Sequence, residues 1–355
     1  MECMNRSRKL CAVRGTVTRR EFALRAGLGL TGLALMRPSG LLQEGLRSEL
    51  ALARSQDRSS ALRAAVGLLG KINFGGKDLY LKGNFNSPDP FPASTHPEML
   101  GAVVDFLREC NCGRITMVER SGMGSTRDIW ERLGFTLLAQ RLEVQLVALD
   151  ELPAEQWRKE ELPGSNWKAG VEVPKFLDHE TYLVQICNLK THRFGGVFSA
   201  SLKNSVGLVA KYGRLNDGYN YMKELHASPQ QGAMIAELNV AYEPKLIIMD
   251  AMQVFTAGGP ETGKLASPEV VMASADRVAI DAAGVALLRL HAEEPDQPLA
   301  GRAVYEQAQI KRAVELSLGA INADYIHFLT ADSAGSRLAS QLEAIIQEPP
   351  KAVKQ

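Results

Sequence analysis

The segment TYLVQICNLKTH, residues 181–192, decides the class of fold that the sequence predicts. Its first nine residues are mostly apolar, which is typical of a strand that is buried on both faces. Strands of this kind belong to parallel sheets that are covered by helices. Lys190 and His192 follow directly and lie two residues apart, so they share a face if the strand continues. The segment therefore predicts a buried strand with cationic side chains at its end.

Strands and amphipathic helices alternate on both sides of this segment. Further predicted strands are DLYLKGNF (78–85), RITMVE (114–119), VQLVALD (144–150), KLIIMDAM (245–252), EVVMAS (269–274) and ADYIHFL (323–329). A helix is predicted after Thr95 as its N-cap, another ends at Gly134, and a third begins after the N-cap Asp276. Residues 41–70 are interpreted as a polar helical stretch. The pattern predicts an α/β fold, a mainly parallel sheet covered by helices, in a single large domain.

The distribution of charge separates the N-terminal segment from the rest of the 355 residues. Residues 1–53 contain nine Lys and Arg against four Glu, whereas the remaining residues carry a net charge of −4. A nucleic-acid-binding protein would show a basic excess in its main domain, so this class is not expected. We interpret 1–53 as a signal and linker, 54–335 as the α/β domain, and 336–355 as the end of a C-terminal helix and a tail.

The basic N-terminal segment has the order of a twin-arginine export signal. Arg19 and Arg20 precede a short apolar run from Ala26 to Met36, which is too short to span a membrane. Export by the Tat translocase to the periplasm or cell envelope is therefore expected. The small-x-small sequence 51–53 is a candidate cleavage site, and an uncleaved membrane anchor is the alternative. A buried amphipathic helix from Thr18 is the other interpretation of the run.

Polar side chains follow the predicted strands at the points where they end. Lys82 and Asn84 close one strand, Lys190 and His192 another, and Asp250 a third. In sheets of this class, ligands bind where the C-terminal ends of parallel strands open into loops. These side chains are therefore candidates for one shared site.

Two other segments contribute candidates to the same site. Lys203 and Asn204 follow His192 across the small-residue segment FGGVFSAS, and they precede a predicted helix start with positive potential. The glycine segment that begins with Gly258 and Gly259 follows the strand of Asp250 and offers backbone N–H groups to an anion. His226 lies in a polar stretch and is either a site residue or a surface histidine.

Several common site types are not indicated by the sequence. There is no Gly-x-x-x-x-Gly-Lys-Ser/Thr phosphate loop, no three-glycine dinucleotide motif and no Gly-x-Ser-x-Gly nucleophile elbow. A zinc site is not expected, because only His192, His226 and Asp250 are candidate ligands and ammonium groups lie near them in the sequence. The five cysteines contain no iron–sulfur motif, so the cofactor, if any, is unknown.

The segments LYLKGNFNSPDP, NLKTHRFGGVFSASLKNSVGL, IIMDAMQVFTAGGPETG and VVMASADRVAIDAAG resemble, in order and spacing, the DUF362 family, which is named for its unknown function. The resemblance covers roughly residues 65–290, and the Leu-Lys-Thr-His and Leu-Lys-Asn-x-x-Gly pair is its most specific part. Many members carry a ferredoxin-like [4Fe–4S] module, whose cysteines this chain lacks. Members often have an acidic residue just before Gly-x-Gly-Pro, where this chain has Ala257. The resemblance implies no particular reaction.

The residues together predict a cleft that binds a small phosphorylated or carboxylate ligand, because fixed positive charge predominates in it. His192 and Lys190 are the candidate catalytic residues, with His192 acting as an acid or base near neutral pH. The candidate ligand-binding residues are Lys82, Asn84, Lys203, Asn204, His226, Asp250, Gly258 and Gly259. The alternative function is a non-catalytic factor of the cell envelope that carries a cofactor or metal.

Overall fold

A mixed sheet of ten strands forms the centre of the computed structural model, which describes residues 47–215, 218–293 and 297–349. The strands of the described chain are β1 (Ser48–Arg54), β2 (Leu79–Lys82), β3 (Ile115–Glu119), β4 (Gln145–Ala148), β5 (Trp157–Glu160), β6 (Val171–Pro174), β7 (Leu183–His192), β8 (Val197–Ser199), β9 (Pro244–Ala257), β10 (Lys264–Ala266), β11 (Val270–Ser274) and β12 (Ile326–Thr330). Its helices are α1 (Arg58–Leu68), α2 (Pro97–Glu109), α3 (Thr126–Arg132), α4 (Phe135–Arg141), α5 (Ser201–Asn204), α6 (Tyr221–Ala227), α7 (Gln231–Glu237), α8 (Arg277–His291), α9 (Gln297–Ala300), α10 (Ala308–Glu315) and α11 (Ser333–Gln347). The predicted twin-arginine segment lies outside the described residues.

The main path of the sheet has the order β12-β1-β11-β9-β7-β2-β3-β4. The pairs β9–β7, β7–β2, β2–β3 and β3–β4 are parallel, as is β1–β12, whereas β11 is antiparallel to both of its neighbours. The short strands β8 and β10 pair in antiparallel orientation with the C-terminal ends of β7 and β9. Strands β5 and β6 pair with each other in a separate hairpin. The predicted class, a mainly parallel sheet covered by helices in one domain, is confirmed.

Helices cover both faces of the sheet, so its central strands have two buried faces. In β1, Leu50 and Leu52 belong to the apolar cluster that contains α8 and α11, while Ala51 and Ala53 belong to the cluster that contains α1 and α2. The alternation of side chains along a strand places successive residues on opposite faces. The helices on both faces of the sheet are therefore needed to shield this strand from water.

The beginning of the domain differs from the sequence-based expectation. Residues 41–70 were expected to be helical, but β1 occupies residues 48–54 and α1 begins only at Arg58. The reason is tertiary: β1 lies between β11 and β12, where its apolar residues are fully buried. The sheet therefore includes residues on the N-terminal side of the expected boundary at 54, among them the candidate cleavage sequence 51–53.

The helix starts show how local chemistry sets the ends of elements. Asp276 caps α8 as predicted, with its carboxylate accepting hydrogen bonds from the N–H groups of Val278 and Ala279. The predicted cap Thr95 is wrong by one residue, because His96 caps α2 through Nδ1. The Thr95 hydroxyl instead accepts a hydrogen bond from the Asn84 N–H group at 2.8 Å. Thr95 thus fastens the loop between β2 and α2.

The C-terminal helix belongs to the domain. α11 crosses the expected boundary at residues 335 and 336, and it packs Leu338 and Leu342 into the same apolar cluster as α8. Within the described part of the chain, no helix combines the length and apolar character that crossing a membrane requires.

Candidate functional site

The parallel strands β2, β3, β7 and β9 bring their C-terminal ends to one edge of the sheet. Lys82 and Glu119 are the last residues of β2 and β3, whereas β7 continues for seven residues beyond Gln185, the partner of Lys82, and ends at His192. Asp250 does not lie at the end of its strand. Strand β9 continues to Ala257, because the apolar residues after Asp250 pair with β10, β11 and the end of β7.

Lys82 forms a buried ion pair at this edge. Its Nζ donates to Glu119 Oε2 at 2.7 Å, to the Gly83 carbonyl at 2.6 Å and to Asn204 Oδ1 at 3.0 Å. Lys82 and Glu119 are 1% and 2% exposed, and burial lowers the pKa of Lys82 although the Glu119 charge opposes this. Asn204 also donates to the Ile186 carbonyl at 3.1 Å. Lys82 and Asn204 therefore tie β2, β3, β7 and α5 together, and the three N–H donors of Lys82 are used.

Lys190 is also buried, but it has a different kind of partner. Its Nζ donates to the carbonyls of Pro92 and Ala93 at 3.1 and 2.7 Å, and these residues belong to the loop between β2 and α2. Asn188, two residues earlier, donates to the Pro92 and Ser94 carbonyls at 3.0 and 2.7 Å. Burial lowers the pKa of Lys190 to about 7, and the charges of nearby lysines add to this effect.

Lys203 lies on the short helix α5 and is half-buried. Among the described residues it has neither a hydrogen-bond acceptor nor a carboxylate partner for its ammonium group. Burial lowers the pKa of Lys203 to about 8, and its positive charge lowers the pKa of Lys190. Two ammonium groups thus approach one another, and no ion pair within the described chain neutralises either.

His192 lies next to these lysines and is neutral. Burial and the charges of Lys203 and Lys190 lower its pKa to about 2, while a hydrogen bond with the Gly195 backbone raises it. Its buried Nδ1 has no partner in the described structure. The expectation of a histidine that titrates near neutral pH is therefore not met. A bound anion would raise the pKa by offsetting the two ammonium charges.

His226 lies on the exposed face of α6, and its Nδ1 is 2.6 Å from the Met222 carbonyl. Its charge contributes to the lowered pKa of His192, so the two histidines are near one another. His226 is therefore an exposed residue in the neighbourhood of His192.

The predicted glycine segment packs closely against the end of β7. A Cβ atom on Gly259 would lie 1.9 Å from the Thr191 carbonyl oxygen, so no larger residue fits there without a shift of the backbone. Arg193 donates from Nη1 to the Gly259 carbonyl at 2.9 Å and to that of Gly258 at 3.4 Å. The segment therefore packs against the end of β7, and its carbonyl groups accept the hydrogen bonds from Arg193.

Asp250, on strand β9, forms its ion pair with Arg58 of helix α1. Its Oδ2 accepts from Arg58 Nε at 2.9 Å, and its Oδ1 accepts from the Met252 N–H group at 3.1 Å. Burial raises the pKa of Asp250 to about 6, against the opposing effect of the Arg58 charge. Asp250 anchors α1 to the sheet in this structure.

The structure adds residues that the sequence does not single out. Asp281 of α8 accepts hydrogen bonds from the N–H groups of Ser201 and Leu202 at 2.8 and 3.0 Å, and so fixes the start of α5 beneath Lys203. Gln231 and Gln309 are 7% and 1% exposed and contact the loop after β7. No sequence motif links these residues to Lys203, because only the fold brings them together.

Asn84 is 8% exposed, and its backbone N–H and C=O groups both pair with Thr95. It therefore holds the loop that receives the Lys190 hydrogen bonds. We define the cationic cluster as Lys190, His192 and Lys203. In the described chain, no group of three or more His, Cys, Asp or Glu residues is arranged to hold a metal ion.

The chemistry of the cationic cluster favours a small anion. The ammonium groups of Lys190 and Lys203 and the uncharged imidazole of His192 are withdrawn from water together. Each ammonium charge raises the free energy of the protonated form of its neighbours. An anion that reaches them supplies the missing negative charge and accepts hydrogen bonds from them.

Comparison with known proteins identifies the family. No curated protein matches the chain. The structure of the lactate racemase apoprotein from Thermoanaerobacterium thermosaccharolyticum is similar with a TM-score of 0.42 and 16% sequence identity, over 70% of this chain and 58% of that chain. This chain thus spans less than two thirds of the length of that protein. The sequence model of the domain of unknown function DUF362 matches residues 80–286. These residues make up more than half of the sequence, and the chain belongs to the DUF362 family.

Proposed function

We propose that this protein binds a small phosphorylated or carboxylate ligand at the cationic cluster and that it acts on this ligand as an enzyme. One observation carries the proposal: Lys190 and Lys203 have lowered pKa values, lie near one another, and have no carboxylate partner within the described chain. Perturbed groups of this kind concentrate at functional sites. The ammonium groups hold the anion, and His192 transfers a proton once the anion has raised its pKa.

The pH dependence of anion binding tests this proposal. The pKa values of Lys190 and Lys203 are about 7 and 8, below the ordinary 10.5. Between these values and 10.5 the folded protein holds fewer protons than the unfolded chain, so the contribution of these lysines to stability decreases as pH falls towards 7. An anion favours the charged lysines, so its affinity should fall by up to about tenfold per pH unit above 7 for each lysine that takes up a proton.

The experiment measures the thermal midpoint with and without sulfate at pH 6 and pH 9. Sulfate keeps its charge over this range, and chloride at equal ionic strength is the reference. We expect a larger stabilisation by sulfate at pH 6, and the difference should become smaller in Lys203→Met, where only Lys190 of the two lysines remains. Lys71→Met, which changes an exposed lysine, is the matched control. Equal stabilisation of wild type and Lys203→Met at both pH values would refute the proposed site.

A carrier of a tightly held anion or cofactor is the second candidate. It is favoured by the burial of Lys190, which is 3% exposed, because an enclosed site releases its ligand slowly. Native mass spectrometry of the protein purified from its natural source separates the two functions. A carrier retains a non-covalent mass that Lys203→Met loses, whereas an enzyme with exchanging substrate is purified without one.

We propose further that the chain is exported through the Tat translocase to the periplasm or cell envelope, which the pair Arg19–Arg20 before an apolar run supports. Replacing both arginines by lysine should leave most of the protein in the cytoplasmic fraction, while Arg6→Lys, also a basic N-terminal position, leaves export unchanged. Immunoblots of cell fractions measure the distribution. Unchanged export of the double variant would refute this route.

A further inference from the structure

A cavity of about 510 Å³ lies on the face of the sheet that α1 and α2 cover. Its size is within the range of sites that bind small organic molecules. The residues that line it are Gln56, Arg58, Pro90, Phe91, Thr95, His96, Pro97, Leu133, Phe135, Met252, Gln253, Ser267 and Glu269. None of them belongs to the cationic cluster, so this cavity is a separate candidate site.

Arg58 presents a fixed hydrogen-bond donor to the cavity. Its Nε donates to Asp250 Oδ2 at 2.9 Å and its Nη1 to Glu98 Oε2 at 3.0 Å. Its guanidinium also lies 4.7 Å from the centre of the Phe91 ring, and the residue is only 8% exposed. Within the described structure, Nη2 has no hydrogen-bond partner. Arg58 is therefore held from two sides and lines the cavity with one donor group unused.

His96 presents a second donor. Its Nδ1 accepts a hydrogen bond from the Glu98 N–H group at 3.2 Å, so in the neutral ring the proton is on Nε2. Burial and the charge of Arg58 lower the pKa of His96, which keeps the ring neutral at physiological pH. Nε2 has no hydrogen-bond partner in the described chain. Arg58 and His96 thus both line this cavity, and each has one donor group without an acceptor in the described chain.

The walls and the charge of the cavity restrict the ligand further. Phe91 and Phe135 are aromatic walls, and the Phe91 ring meets the His96 ring edge-on at 5.4 Å. The charge of Arg58 is already offset by Asp250 and Glu98. A carboxylate ligand would add negative charge to this group, whereas a carbonyl oxygen accepts the same hydrogen bonds without a charge. Planar rings pack well against aromatic side chains.

We propose that this cavity binds an uncharged planar ring compound that carries a carbonyl oxygen. The oxygen accepts hydrogen bonds from Arg58 Nη2 and His96 Nε2, and the ring lies against Phe91. The two side-chain amides at the cavity wall, Gln56 and Gln253, offer both donors and acceptors to polar atoms at the rim of the ring. The proposal does not depend on the function of the cationic cluster.

Saturation-transfer NMR with benzamide, benzoate and cyclohexanecarboxamide tests this site in the full chain. Benzamide is planar, uncharged and carries a carbonyl, benzoate is charged, and cyclohexanecarboxamide is not planar. We expect benzamide to bind more tightly than either. His96→Asn should weaken benzamide binding about fivefold, as for one lost hydrogen bond, and Phe91→Leu about threefold.

The variants are chosen so that folding is preserved. Asparagine is a good N-cap, so His96→Asn keeps the start of α2 while it removes the Nε2 donor. His327→Asn makes the same change at an exposed position of β12 and should leave benzamide binding unchanged. Lys203→Met should also leave it unchanged, which separates this site from the cationic cluster. Absence of benzamide binding, tighter binding of benzoate, or full binding by His96→Asn would each overturn the proposal.

Discussion

Glu119→Gln is expected to destabilise the protein by about 3–5 kcal/mol, because it leaves the buried ammonium group of Lys82 without a counter-charge. The two side chains are 2.7 Å apart and almost fully buried. Glu119 also accepts hydrogen bonds from the N–H groups of Phe85 and Arg120 at 2.9 and 3.0 Å, and a glutamine has only one acceptor oxygen to replace both. Urea unfolding followed by the fluorescence of the buried Trp130 and Trp157 measures the loss.

Two further variants identify the cause. Lys82→Met combined with Glu119→Gln removes both charges and should recover part of the lost stability, since a buried pair replaced by apolar groups is often nearly neutral in free energy. Glu131→Gln, at an exposed position of α3, should change stability by less than about 0.5 kcal/mol. A loss below about 1 kcal/mol in Glu119→Gln would show that Lys82 does not depend on this carboxylate.

A chain that starts at residue 54 is expected not to fold. It lacks all but the last residue of β1, which pairs with β11 on one side and β12 on the other. Leu50 and Leu52 are 0% exposed, and each buried leucine contributes about 1.5–3 kcal/mol. Together with the lost strand pairing, this approaches the whole stability of a typical domain, about 5–15 kcal/mol. Thermal unfolding followed by circular dichroism should show no cooperative transition.

A chain that starts at residue 47 is the control and should melt cooperatively. If a signal is removed in the cell, the mature N-terminus should therefore lie upstream of Ser48, which the mass of the purified protein measures. A stable, cooperative domain that begins at residue 54 would contradict the role assigned to β1.

The sequence predicts the core of this fold well because burial on both faces leaves a visible pattern. Long apolar runs mark β7 and β9, and Asp276 marks the start of α8. β1 is different: its residues SELALAR alternate leucine and alanine, which suits a helix as well as a strand. Only its neighbours β11 and β12, more than 200 residues away in sequence, decide between the two.

The sequence indicates which polar residues follow the buried strands, but it does not indicate the electrostatics of these residues. The spacing of Lys190 and His192 after an apolar run indicates the end of a buried strand. The parallel pairing of β7 with β2 then brings Lys190 near Lys82. Sequence does not show that Glu119 neutralises Lys82 or that His192 is surrounded by ammonium groups. These properties depend on distances between distant segments, and so do the contacts of Arg58 with Asp250 and Glu98.

The position of β1 between β11 and β12 also affects how the protein is made. A ribosome produces β1 first and both of its neighbours last, at about 5–20 residues per second. The first strand therefore waits on the order of tens of seconds before its partners exist. During this time its apolar edges are open to pairing with other chains. The complete sheet closes only after synthesis has passed β12.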